Sequence, residues 1–180
     1  MKKIIALALA AVMLFSFAAC GGTKIKEPVD VLNAVWEKYE EGERFFSIGG
    51  DYGNLVDNAP AAYDLTADPE VTASQLVCSA ENAKMVKSAA SLIHAMNSNN
   101  FTAAVYEMAK GSKSADFIAA MDKDIVSNQW ICGFPERLLI ATIDEKYVLI
   151  AFGASDIVDN FKAKLTVAFP DTVYSTYKAL

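Results

Sequence analysis

Residues 138–152 read LLIATIDEKYVLIAF, and this stretch decides the fold. Two apolar runs rich in β-branched and aromatic residues, 138–143 and 147–152, flank the polar triplet Asp144-Glu145-Lys146. Short apolar runs bounded by turn residues predict strands, and a break this short joins them as an antiparallel hairpin. Upstream, residues 101–108 (FTAAVYEM) predict a third strand, which can join either side of the hairpin. The expectation is an α+β domain with a small antiparallel or mixed three-stranded sheet, its strands near 101–108, 138–143 and 147–152, packed by several helices.

The helices are read from apolar residues recurring at helical spacing. After Ser155 and Asp156, Ile157, Val158, Phe161 and Leu165 share a face over 155–168; after Ser114, Phe117, Ile118, Met121 and Ile125 do so over 114–127. Between Ser79 and Met96, a stripe of Met85, Val86, Ala89, Ala90 and Ile93 predicts another helix, ended by Asn97 and Asn100. Asp68 caps a short helix over 69–77. Pro28 starts the first helix of the domain, with Leu32, Val35, Trp36 and Tyr39 on its inner face. Residues 43–69 form a long irregular stretch with Gly49, Gly50 and Gly53, where a functional loop or a hidden short element is expected. Residues 171–180 read as a loosely held tail.

Outside this domain lies a different kind of sequence. Met1-Lys2-Lys3 is a short positive start, and residues 4–19 (IIALALAAVMLFSFAA) carry no charge. That run is shorter than the roughly 20 apolar residues a membrane span needs and fits a signal-peptide core. It ends in Phe17-Ala18-Ala19-Cys20, followed by two glycines. This segment resembles a bacterial lipoprotein lipobox, with Phe17 where Leu is usual. The resemblance implies diacylglyceryl transfer to the Cys20 thiol, cleavage before Cys20 by signal peptidase II, and palmitate-type acyl chains holding the protein at the membrane. A plain secretory signal cut after its alanines, or an uncut anchor, are the other readings of the same run. The chain thus divides into a signal peptide (1–19), a lipidated tether (20–27) and a single domain (28–180). That domain resembles small α+β lipoproteins of bacterial surfaces, which imply no site residues. Expected localisation is export, with lipid anchoring to the outer face of the cell membrane, or of the outer membrane where the cell has one.

The charge balance narrows the partners. The whole chain has 16 Lys+Arg against 22 Asp+Glu, net −6; without Lys2 and Lys3 it has 14 against 22, net −8. No Lys/Arg block is present, so nucleic acid is not an expected partner. One histidine, His94, gives no multi-histidine metal site and lacks a partnered nucleophile, since no Gly-x-Ser-x-Gly elbow occurs. No metal or other cofactor is expected. Cys78 and Cys132 remain once Cys20 is lipidated. An even pair in an exported chain permits a disulfide, and two buried free thiols are the alternative.

Aromatic residues in irregular segments supply a candidate binding surface: Phe45, Phe46 and Tyr52 in the first long loop, and Trp130 and Phe134 in the hexapeptide WICGFP, residues 130–135. The same aromatics can instead serve as core, plugging the sheet edge. The functional expectation is a membrane-anchored binding or accessory module contacting an envelope protein, peptide or glycan. The alternative is an envelope hydrolase or transferase working through two facing carboxylates.

Overall fold

The computed structural model describes residues 24–131 and 133–180. Helix α1 (Pro28–Trp36) leads into three short strands, β1 (Ser47–Gly49), β2 (Val56–Asp57) and β3 (Ala61–Tyr63). Helices α2 (Pro69–Leu76) and α3 (Ala80–Ala83) precede two long strands, β4 (Val86–His94) and β5 (Phe101–Met108). Then come α4 (Ser114–Ser127), β6 (Arg137–Ile143), β7 (Tyr147–Gly153), α5 (Ser155–Ala168) and β8 (Val173–Ala179).

The expected three-stranded sheet is overturned: the described strands form one eight-stranded sheet. Its order is β2-β1-β4-β5-β7-β6-β8, with β3 also paired to β4, and every pairing is antiparallel. The three expected strands sit together in its middle as β5, β7 and β6. Four pieces of strand enlarge it on one side and β8 on the other. The outer edge of β4 is divided. β1 pairs with its end at Ile93 and His94, and β3 pairs with Ala89, Ala90 and Ser91.

The largest correction is β4, which the helical stripe assigned to a helix. Only Ala80–Ala83 is helical there, capped by Ser79 Oγ accepting from Asn82 N at 3.2 Å. Residues 86–94 are strand because both faces of β4 are covered. Ala90 and Leu92 point to one core, and Ala89 and Ile93 to the other. A doubly buried strand shows no polar alternation, and its Ala and Leu residues read as helix formers. Residues 171–180 are likewise not a loose tail: 173–179 form the edge strand β8.

Helices cover both faces. On one, α1 and α5 enclose Val35, Phe101, Leu149 and Phe161; on the other, α2 and α4 enclose Leu76, Tyr106, Phe117 and Ile150. The placement of α4 and α5 follows from chirality. β5 and β6 run the same way and flank β7, with α4 crossing between them. β7 and β8 run the opposite way and flank β6, joined by α5. Both crossovers move in the same direction across the sheet from strands of opposite sense. One common hand therefore requires their helices on opposite faces.

The hairpin turn takes the shape its strands need. Asp144 and Glu145 both have positive φ, 50° and 54°, and Lys146 N donates to Ile143 O at 3.3 Å. That mirror-image turn matches the twist of the two strands.

Candidate functional site

The structure separates the five aromatic residues singled out from the sequence. Phe45 is half-buried in the core, 5.3 Å from the Trp36 ring and 5.2 Å from Phe101. His94, inside the helix expected between Ser79 and Met96, instead ends β4 and stacks on Phe45 at 5.5 Å, its Nδ1 accepting from Met96 N. Phe46 (54% exposed) and Tyr52 (62% exposed) lie on the β1–β2 side. Trp130 and Phe134 lie elsewhere, in the segment between α4 and β6.

Two cavities near β3 contain acidic groups. The larger, about 380 Å³, includes Asp51, Asp64 and Lys87; a smaller one beside it, about 220 Å³, takes in Tyr52 and Asp68. These carboxylates are engaged in shaping loops. Asp51 Oδ2 accepts from Asp64 N at 3.1 Å and its Oδ1 from Gly53 N at 2.8 Å. Asp64 Oδ1 accepts from Thr66 N and Oγ1, bonds that hold its carboxyl below the usual range. A general acid needs a carboxyl pushed upward, and Asp64 is pushed the other way.

Glu107 on β5 is a second structured acid. Its side chain is almost fully buried, with Lys146 at 2.8 Å, Lys87 at 2.9 Å and Ser88 Oγ donating at 2.9 Å. Burial pushes its carboxyl up, but the hydrogen bonds from Lys146, Lys87 and Ser88 outweigh it and bring it down to about 2. Lys87 reaches it because the β4–β5 register shifts between Val86 and Ser88. Its partners come from β4 and from the β6–β7 turn, so this is a clamp on the sheet.

A further recess surrounds Trp130. Its ring packs on Phe152 at 5.3 Å and is half-buried. On one side lies a mainly apolar groove of about 360 Å³, lined by Val126, Phe134, Pro135 and Leu180, with Lys178 also on its wall. On the other lies a cavity of about 370 Å³, lined by Ser74, Asn97, Asn99, Asn128 and Gln129. Three segments converge there: the end of α2, the β4–β5 turn and the residues after α4. The turn is preorganised. Asn97 Oδ1 accepts from Asn99 N at 3.0 Å, and Asn99 Nδ2 donates to the Gly133 carbonyl at 3.0 Å. Gly133 has φ +89°, and a side chain there would meet Asn97 Nδ2 at 3.2 Å. The glycine is thus what lets the loop close on the turn.

Sequence reasoning found Trp130 and Phe134 and missed the amides, reading 97–100 only as a helix terminator. The available signal was the pair of amide-rich turns NSNN and SNQW, residues 97–100 and 127–130.

Cys78 is a fully buried free cysteine whose thiol is pushed up to about 12 by burial and by the nearby Asp124 carboxylate. Cys132, the other cysteine of the pair for which a disulfide and two free thiols were both open, lies outside the described residues, as does Cys20 with the whole lipobox. Among the described residues no group of histidine, cysteine and acidic side chains is arranged to hold a metal, and no helix is long and apolar enough to cross a membrane.

No protein-family model matches the chain, and no curated protein and no solved structure is significantly similar to it.

Proposed function

We propose that the protein is a membrane-anchored binding module of the cell envelope, acylated at Cys20 and held at the outer face of the membrane, with its ligand site at Trp130. The anchor rests on the positive start, the uncharged run and the Phe17-Ala18-Ala19-Cys20 ending. The observation that carries the binding reading is the position of Trp130, between an apolar groove and an amide-lined cavity and fixed from behind by Phe152. Binding sites combine apolar and aromatic walls with a few placed polar groups. An aromatic anchor held rigid loses little entropy on binding. Phe134, 75% exposed on the rim of the groove, extends the surface. The acidic balance favours an uncharged or cationic envelope component over nucleic acid.

Two experiments test this. Cys20→Ala should release the protein from the membrane fraction or leave the precursor uncleaved; wild-type fractionation and migration would remove the anchor. Recovery of envelope components on Trp130→Ala and Phe134→Ala, both checked for a native circular dichroism spectrum, should fall at least about tenfold, or about 1.4 kcal/mol. Undiminished recovery by both variants would remove the site.

A further inference from the structure

We infer that the cavity beside Trp130 is a carbohydrate subsite, taking an uncharged sugar ring of an envelope glycan. This deepens the binding reading and rests on it. Asn128 and Gln129 each present an amide with donors and an acceptor, while Asn97 and Asn99 hold the loop in place through their own hydrogen bonds. Together with Ser74 and Ser98 they make a wall of mixed hydrogen-bonding character. A peptide backbone or a phosphate would use only part of it. A ring of vicinal hydroxyls, every one both donor and acceptor, matches it throughout.

Charge sharpens the choice. Among the described residues lining this cavity there is no Asp, Glu, Lys or Arg. An anion would find no cation there and would meet a chain of net −6. A cation would find no carboxylate. Trp130 supplies the remaining element, a flat indole against which the apolar C–H face of a sugar can pack while its hydroxyl edge turns to the amides. The wall is also set in advance by the Asn97–Asn99 and Asn99–Gly133 hydrogen bonds, so less ordering is required on binding.

The chain contains two tryptophans. Trp36 is 5% exposed, and its indole N–H donates to Asn58 O at 3.1 Å. A ligand-induced change in tryptophan fluorescence therefore reports Trp130. The full chain in detergent should be titrated with cellohexaose, chitohexaose, an oligogalacturonate of equal length and an apolar hexapeptide. A saturable blue shift with at least one of the two neutral sugars, and at least tenfold weaker binding of the oligogalacturonate, is the expected result. Trp130→Ala should abolish it. Gln129→Ala, at an exposed position that leaves the core untouched, should weaken it about three- to tenfold with an unchanged melting temperature.

No response to either neutral sugar, or equal binding of the anionic one, overturns the inference. A Trp130-dependent response to the apolar peptide alone overturns the sugar while leaving the binding site standing. Failure with every probe, together with envelope recovery that does not depend on Trp130, overturns both.

Discussion

Tyr174 and Tyr177 stand three residues apart on one strand and yet share a face, with the Lys162 ammonium 4.8 Å from the centroid of each ring. Along a regular strand an odd separation sends side chains to opposite faces. Here Ile140 opposes Thr176 and Ala141 opposes Tyr174, so Ser175 is an extra residue without a partner. This bulge turns both rings towards α5. The Arg137 guanidinium adds a second cation 5.1 Å from the Tyr177 ring, and the Tyr177 hydroxyl donates to Asp159 at 2.6 Å. Lys162→Ala should cost about 1–2 kcal/mol, the sum of two half-exposed cation–π contacts. Deleting Ser175 should cost less, because it leaves Tyr174 and Tyr177 two residues apart, on one face of a regular strand, with the register to β6 kept. Urea unfolding checks both; a larger loss from the deletion would show that the bulge itself is needed.

Acid should loosen the sheet through Glu107. Its folded carboxyl sits near 2, below the ordinary 4.5. The stability it contributes is therefore complete above about pH 4.5 and is lost as the pH falls towards 2. With half-exposed lysines screening part of the effect, that amounts to about 2–3 kcal/mol. Glu107→Gln should lower stability at pH 7 and flatten its decline between pH 4.5 and 2. An unchanged acid limb in denaturant titrations would argue that other carboxylates set it.

Cys78 should be inert in the folded protein. Its thiolate is disfavoured at neutral pH by burial, and its sulfur is fully covered. Alkylation at pH 8, followed by peptide mass spectrometry, should label Cys78 only after unfolding, with no reductant needed. Labelling that requires reductant would instead reveal the Cys78–Cys132 bridge that an exported cysteine pair permits.

Two glycines separate scaffold from site. A side chain at Gly153 (φ +152°) would collide with the Asn100 carbonyl oxygen, where Ala154 N also bonds. Gly153→Ala should cost about 2–4 kcal/mol, because backbone at the junction of β5, β7 and α5 must move. Gly133→Ala meets side chains rather than backbone, the Asn97 amide at 3.2 Å and Asn99 Cβ at 3.7 Å, besides the strain of its own φ. It should cost about 1 kcal/mol while weakening ligand capture at Trp130 more than its stability loss explains. If the two substitutions unfold the protein equally, the loop is part of the scaffold.

The parts of this fold legible in sequence were those where one face or one turn dominates. α4 and α5 each bury one stripe, and their expected limits, 114–127 and 155–168, match the structure. Asp68 caps α2 as its position implied, accepting from Glu70 N and Val71 N. The hairpin was legible because Asp144-Glu145-Lys146 interrupts two apolar runs. β4 was not, because burial on both sides removes the alternation that marks a strand. β8 was hidden by its own bulge, since Ser175 puts an odd spacing between Tyr174 and Tyr177, which share a face. β1, β2 and β3 span two or three residues each and are set by partners distant in sequence. The site divided the same way. Trp130 stood out by residue type, whereas its amide neighbours come together only through tertiary packing.

The two margins of the sheet differ in length, and that limits how the molecule can multiply. β8 offers a seven-residue outer edge, while the far margin ends in the two-residue β2. Pairing of unsatisfied strand edges drives open-ended stacking only when both margins can accept a neighbour. A second copy joining along β8 would leave stub ends outward on both sides. Association by this route therefore terminates at a pair and cannot grow into a fibre.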